Sequence, residues 1–237
     1  MTVEWGGMGS SSSPQRTQGQ LGDRAARHIR ALIMSGELPP GTTVRPETVG
    51  EQLAISTTPA REALQLLRAE GFLTLEPGRG FRVAPLNGDD IRDLFVTQAL
   101  IAGELAARAA VSGTAEELRE LQALHHELIA AAAREDIAML EVKNDAFHRQ
   151  INVMAKSRKI LWALSVSVRY VPRQFYGSIP GWPSATVDDH DAILLAILDR
   201  DPNRARAAMS EHIIHSGELL ATHFDARVRD DDETRNP

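Results

Sequence analysis

Apolar residues recur at helical spacing along most of the chain, and one short region near residue 75 breaks the pattern. Leu21, Ala25, Ile29 and Leu32 fall on one face of a helix spanning Leu21–Ser35, which Gly36 stops. Pro39-Pro40-Gly41 makes a turn, and a short second helix from Pro46 directs Val49 and Leu53 inward. A third helix carries Ala60, Ala63, Leu64 and Leu67 on one face and ends near Gly71. Phe72-Leu73-Thr74-Leu75 and Gly80-Phe81-Arg82-Val83 then read as two strands around the turn Pro77-Gly78-Arg79. Three helices and a two-stranded wing compose a winged helix-turn-helix of about seventy residues, a size at which a small domain can fold.

Beyond Pro85-Leu86-Asn87-Gly88 the pattern is helical throughout. Helices are expected over 89–111, 115–133, 136–155, 157–176, 185–199 and 202–224. Asp89-Asp90 complements the dipole of the first of these, while Asp201 caps the last and Pro202 takes its first position. Leu118, Leu121, Leu124 and Leu128, with Ile193, Leu194 and Ile197, read as core, and Leu105 to Ala110 as a tight packing surface. The fold class is therefore mainly α: an N-terminal winged helix-turn-helix over 20–85 and an all-helical bundle of about six helices over 86–226. The Gly/Ser-rich residues 1–19 and the charged residues 227–237 are expected to be disordered tails.

The start of the third helix carries chemistry of its own. Ser56-Thr57-Thr58-Pro59-Ala60-Arg61 places three hydroxyls and a proline before the first turn, with Thr58 as the expected cap and Pro59 at the first helical position. Open backbone amides at a helix start favour a phosphate, and Arg61 beside them can reach a phosphate or a guanine edge. A helix built for the major groove would be written this way.

Composition narrows the picture. Among 237 residues there is no cysteine, so disulfides and thiolate metal sites are excluded. Residues 1–20 carry no basic-then-apolar signal, and no uninterrupted apolar run approaches the roughly 18 residues of a membrane span. A cytoplasmic protein without membrane contact is the expectation. The net charge of −6 is unusual for a protein meeting DNA. The acidic excess lies outside the head, which has a small positive balance, so binding must come from arginines clustered on one face and should be salt-sensitive.

Taken together, Ile29 through Gly36, Pro40-Gly41, Leu53-Ala54-Ile55-Ser56, Thr58-Pro59-Ala60-Arg61-Glu62-Ala63-Leu64, Glu70-Gly71-Phe72-Leu73 and Gly78-Arg79-Gly80-Phe81-Arg82-Val83 resemble the GntR family of bacterial transcription regulators. The resemblance implies that Ser56, Thr58 and Arg61 approach operator DNA and that the wing tip at Gly78 enters the minor groove. Thr57 and Arg79, flanking these positions, are assigned to the same contact. The family usually has arginine where this chain has Thr57, and often where it has Glu47. Arg45, two residues before Glu47, is expected to compensate in part, which points to an operator other than the family's commonest. The helical half resembles the FCD effector domain of the FadR-like subfamily. That implies a homodimer on a pseudo-palindromic operator, probed by a small carboxylate effector.

Within the bundle, Asn144 and His148 are four residues apart and share a helix face. His190 follows Asp188-Asp189 on another helix, and His212 lies on the last helix, on a stripe with Ala205, Ala208, Met209, Ile213 and Ser216. Three imidazoles and an amide oxygen can hold a divalent cation, but by spacing alone they read as readily as hydrogen-bonded core residues. The resemblance favours the metal. Asn144-Asp145-Ala146-Phe147-His148 matches a D/N-x-x-F-H pattern common in FCD domains, with further histidines at His190 and His212. Zn, Ni and Mn are the class of ion such donors suit. Asp145 should point away, His215 and His223 serve as outer-sphere or solvated residues, and His125 and His126 lie at the surface. Arg169 and Arg173, four apart on a helix between the two halves of the site, are assigned to an effector carboxylate. Where FCD domains often carry an arginine on the first bundle helix, this chain has Gln98, and Gly177–Pro183 forms a loop able to cover the pocket. No Gly-rich phosphate loop or nucleophile elbow supports an enzyme, so the chain is read as non-enzymatic. The competing readings are a metal-dependent hydrolase with a DNA-binding head, and an acyl-CoA-responsive regulator without metal.

Overall fold

The structure is a computed structural model that describes residues 14–171 and 179–235, with side chains over 19–171 and 179–226. The chain divides into two compact units on either side of the Pro85–Leu86 bond.

In the first unit, α1 (Pro14–Met34), α2 (Pro46–Leu53) and α3 (Thr57–Ala69) close over Ile29, Ile33, Val49, Ala60, Leu64 and Leu67, all buried. α1 begins seven residues before the expected Leu21. The residues ahead of Leu21 are polar and carry no periodicity, yet Pro14 suits a first helical position. Met1–Ser13, most of the expected N-terminal tail, lie outside the described residues.

The sheet has three strands where two were expected. β1 (Thr43–Val44) pairs antiparallel with β3 (Gly80–Val83), and β3 pairs antiparallel with β2 (Leu73–Glu76). A strand of two residues has no alternation to read, and only its partner defines it. Gly78 at the wing tip has φ +75°, a left-handed conformation that suits glycine.

Arg30 is a structural residue that helical spacing does not single out. It is 4% exposed, donates from Nε to Glu70 Oε2 at 3.2 Å, and lies 5.6 Å above the centroid of the Phe72 ring. The pair ties α1 to the end of α3. Arg30→Ala would leave the Glu70 carboxylate without its partner in a largely buried place. It should cost the head about 3 kcal/mol, read as a lower urea midpoint. An unchanged midpoint would show that the pair does not hold the helices together.

The second unit contains α4 (Gly88–Ser112), α5 (Ala115–Ala133), α6 (Ile137–Met154), α7 (Arg158–Ser167), α8 (Trp182–Leu198) and α9 (Pro202–Arg235). Side-chain caps fix several starts. Asn87 with Asp90 and Thr114 with Glu117 form capping boxes, and Asp201 Oδ1 accepts from the amides of Asn203 and Arg204 at 3.0 Å each. α4 and α9 approach closely because two glycines let them. A Cβ on Gly103 would stand 2.9 Å from the Arg206 carbonyl oxygen, and one on Gly217 would stand 2.5 Å from Phe95. Leu105, Ala106, Ala109 and Ala110 pack with Leu121, Phe147, Ile151, Ile193 and Ile197 in one core. By length and composition α4 could cross a membrane, with mean hydropathy 1.4 over its most apolar window, of which 56% is buried in the protein. The core position accounts for that composition, and Gln98, Glu104 and Arg108 interrupt it.

Three boundaries differ from expectation. α7 ends at Ser167 rather than near 176, because Pro172 has no N–H and its ring would clash with the carbonyl of Val168 in a continued helix. α8 begins at Trp182 rather than 185, with Pro183 in its first turn. α9 runs on to Arg235 instead of ending near 224, so the expected C-terminal tail is helical over most of its length. No glycine or proline interrupts residues 218–236.

Candidate functional site

In the head, the turn from α2 to α3 is tight. Ala54 takes a left-handed φ of 52°, the Ile55 amide donates to Gly50 O at 2.9 Å, and a Cβ on Gly50 would stand 2.9 Å from the Ile55 carbonyl. The cap of α3 is Ser56 rather than Thr58, so Pro59 occupies the third helical position. Proline is tolerated there for the same reason as at the first: none of the first four amides has a partner inside the helix. Ser56 is extended and its side chain makes no capping hydrogen bond. Ser56, Thr57, Thr58 and Arg61 are all exposed, while Pro59 and Ala60 face the core. Arg61 stands 3.7 Å from Glu47, both about 60% exposed, a loose surface pair worth little to stability. Arg45, just before α2, is exposed and its stem lies beside Gly80, and Gly78 and Arg79 are exposed at the wing tip.

In the bundle, α6, α8 and α9 bring His148, His190 and His212 together, with one ligand atom from each within 4.8 Å of the others. His148 and His212 face each other through Nε2 at 3.2 Å. Two imidazole nitrogens on one cation at about 2.1 Å stand about 3.0–3.4 Å apart, so this spacing suits a shared ion. His190 is fully buried beneath Phe147, whose ring stacks on it at 4.3 Å, and among the described residues neither of its nitrogens has a hydrogen-bond partner. Asn144, one turn before His148, also holds its Oδ1 buried without a partner among the described residues. Unpartnered buried polar atoms are costly, and a cation is a group that one His190 nitrogen and the Asn144 oxygen could each accept, the other His190 nitrogen carrying the proton. Burial, followed by the neighbouring His212, His148 and His125, pushes the His190 pKa well below 6.5. Its imidazole is therefore neutral, the form that binds a metal.

The carboxylate that matters here is Asp189. Its Oδ2 accepts from His212 Nδ1 and from His215 Nδ1, each at 3.1 Å. That fixes the His212 tautomer with the Nε2 lone pair turned toward His148. Burial raises the Asp189 pKa, but hydrogen bonds and charge from His212 and His215 outweigh it and hold the carboxyl below the usual aspartate value. Adjacency to His190 was the only sequence signal for Asp189, and adjacency cannot say which histidine a carboxylate meets.

Other assignments shift. His125 is not a surface residue: it is 2% exposed, its Nε2 meets Asp191 Oδ1 at 2.6 Å, and its ring centroid is 6.4 Å from that of His190. The i,i+4 relation to the core residue Leu121 could have placed it inside. Gln98 is buried and donates to the Ser167 carbonyl at 3.3 Å, a structural contact between α4 and α7. Arg169 is exposed beyond the end of α7, and Arg173 lies outside the described residues. The covering loop is also largely outside them, and Trp182 at its end is 2% exposed, a packing residue.

Comparison with known proteins agrees with this architecture. The chain matches the gntR family of bacterial regulatory proteins over residues 21–83 and the FCD domain over residues 93–215. It is 24% identical over 208 residues to the HTH-type transcriptional repressor GlaR of Escherichia coli, covering 79% of this chain and 90% of that protein. A probable D-xylose utilization operon transcriptional repressor of Paenarthrobacter nicotinovorans is 26% identical, covering 86% and 90%. The Glc operon transcriptional activator of E. coli is likewise 26% identical, covering 84% and 91%. In fold, the E. coli McbR/YncC structure superposes with a TM-score of 0.64 at 20% identity, covering 86% of this chain and 98% of that one. With a winged helix-turn-helix head followed by a helical FCD domain, the chain belongs to the GntR family of DNA-binding transcription regulators.

Proposed function

We propose that this regulator is a metabolite-responsive repressor whose FCD domain holds a divalent cation on Asn144, His148, His190 and His212. The observation that carries the reading is the convergence of three imidazoles from three helices around buried, unpartnered His190 nitrogens. The cation belongs to the Zn, Ni or Mn class, and its remaining positions take the carboxylate of a small organic acid. The head reads operator DNA with Ser56, Thr57, Thr58 and Arg61 at the start of α3, while Arg45, Gly78 and Arg79 engage the flanking backbone and minor groove. A homodimer places two heads on a two-fold site. Effector binding relieves repression by preferring one arrangement of the heads over the other. Repression is favoured because two of the relatives described above are named repressors and one an activator.

Asp189 orients His212 and contributes the negative charge that a neutral ligand set lacks. Asp189→Asn should weaken metal binding by about 10–100-fold with the fold intact, as measured by competition with a chromogenic chelator. Wild-type affinity in that variant would remove Asp189 from the site. The reading as a whole is tested by metal analysis of the purified protein, followed by a thermal-shift screen of dicarboxylates, sugar acids and amino acids. Compounds that stabilise the protein are then scored for release from the promoter beside its own gene.

A further inference from the structure

The head carries a groove of about 490 Å³ that the reading above does not use. Arg24, Arg27 and His28 of α1 border it on one side and Leu53-Ala54-Ile55, the turn before α3, on the other. The three α1 residues stand at i, i+3 and i+4 and so share a helix face, and all three are exposed. No carboxylate borders the groove. Two other arginines of this unit are held by acids, Arg30 by Glu70 and Arg82 by Glu76, while Arg61 makes only the loose contact with Glu47. Among the described residues, Arg24 and Arg27 have no such partner. Two free guanidinium groups about one helical turn apart form a concentrated positive edge in a head of nearly balanced charge.

The groove also lies beside the edge proposed to meet DNA. Ile55, on its wall, immediately precedes Ser56, the cap of α3. Gly22, two residues before Arg24, would bring a Cβ to 3.5 Å from the Pro59 carbonyl, so the middle of α1 runs along the start of α3. We propose that Arg24 and Arg27, assisted by His28, bind phosphates of the DNA backbone flanking the bases that α3 reads. The inference rests on the reading that α3 enters DNA and adds a second, sequence-independent edge. It also answers how a head with little net charge holds a polyanion: two unpaired arginines are gathered where a strand would pass.

The test uses the full chain and its own promoter, with binding followed by fluorescence anisotropy between 50 and 200 mM salt (about the range over which phosphate contacts are read). Each lost phosphate contact lowers the slope of log affinity against log salt by about 0.9. The double variant R24A/R27A should lose about two units of slope per head, hence about three to four for the two heads of a dimer, and bind more weakly by about tenfold or more at low salt. It should footprint the same base pairs, and R24K/R27K should recover most of the slope. Wild-type slope and affinity in R24A/R27A, while the wild-type protein still binds its promoter, would overturn the proposal and leave the α3 reading standing. If R24A/R27A keeps the wild-type DNA slope but loses thermal stabilisation by inorganic phosphate, the groove holds a free anion and the proposal is likewise overturned. Failure of the wild-type protein to bind the promoter would count against α3 and this groove together.

Discussion

Replacing His190 with alanine should abolish stoichiometric metal binding. Full zinc sites in small domains are worth about 10–16 kcal/mol, so one of four ligands carries about 3 kcal/mol, or about two orders of magnitude in affinity. His190 also fills space beneath Phe147, and its loss opens a cavity as well as removing a ligand. His148→Ala separates the two effects. His148 is only partly buried, so the fold should survive while metal content falls as far. Chelation of the wild-type protein should lower its melting temperature, and restoring the ion should return it, because a ligand that binds only the folded state stabilises it by mass action. The same chelator should leave His148→Ala unmoved. Full metal occupancy in both variants, measured by elemental analysis, would mean that the histidines meet for packing alone.

The second large effect is expected at Arg61. It is exposed one turn into α3, and its only partner among the described residues is the loose contact with Glu47. A bidentate contact to guanine is worth about 1–3 kcal/mol of discrimination in each head. Arg61→Ala should therefore reduce specific operator affinity by about tenfold or more per head and relax preference at one position of each half-site. Nonspecific affinity should change far less, which sets it apart from a phosphate contact. Competition binding against a panel of single-base operator variants measures both quantities. An unchanged specificity ratio would remove Arg61 from the reading edge.

The parts of this molecule that are written locally could be read from the chain. Asp201-Pro202 announces the start of α9 because a cap and a first-position proline act within four residues. The stripe of Ala60, Ala63, Leu64 and Leu67 announces the buried face of α3 for the same reason. What the chain does not announce locally depends on distant partners. β1 exists only because β3 lies beside it. Arg30 looks like a solvated helix residue until Glu70, forty positions later, arrives at its side chain. α7 ends earlier than apolar spacing predicts: the spacing continues through Val168 and Val171, although Pro172 forbids the helix to follow it. At the candidate metal centre, Asn144 and His148 share a face by spacing, but their meeting with His190 and His212 came from family resemblance. Neither spacing nor resemblance revealed Asp189 as the residue that orients His212, or His125 as a buried neighbour of His190. Those relations belong to the packing of α5, α6, α8 and α9, which no single helix encodes.

The central claim is that His148, His190 and His212 hold one cation in the FCD domain. Calorimetric titration of Zn²⁺, Ni²⁺ and Mn²⁺ into chelator-treated, full-length protein tests it most directly. The account predicts one ion bound per chain for at least one of the three, at micromolar affinity or tighter (about −8 kcal/mol or more). Saturation should be accompanied by a rise in melting temperature. No binding heat and no thermal shift with any of the three ions would contradict it, and the effector reading would fall with it.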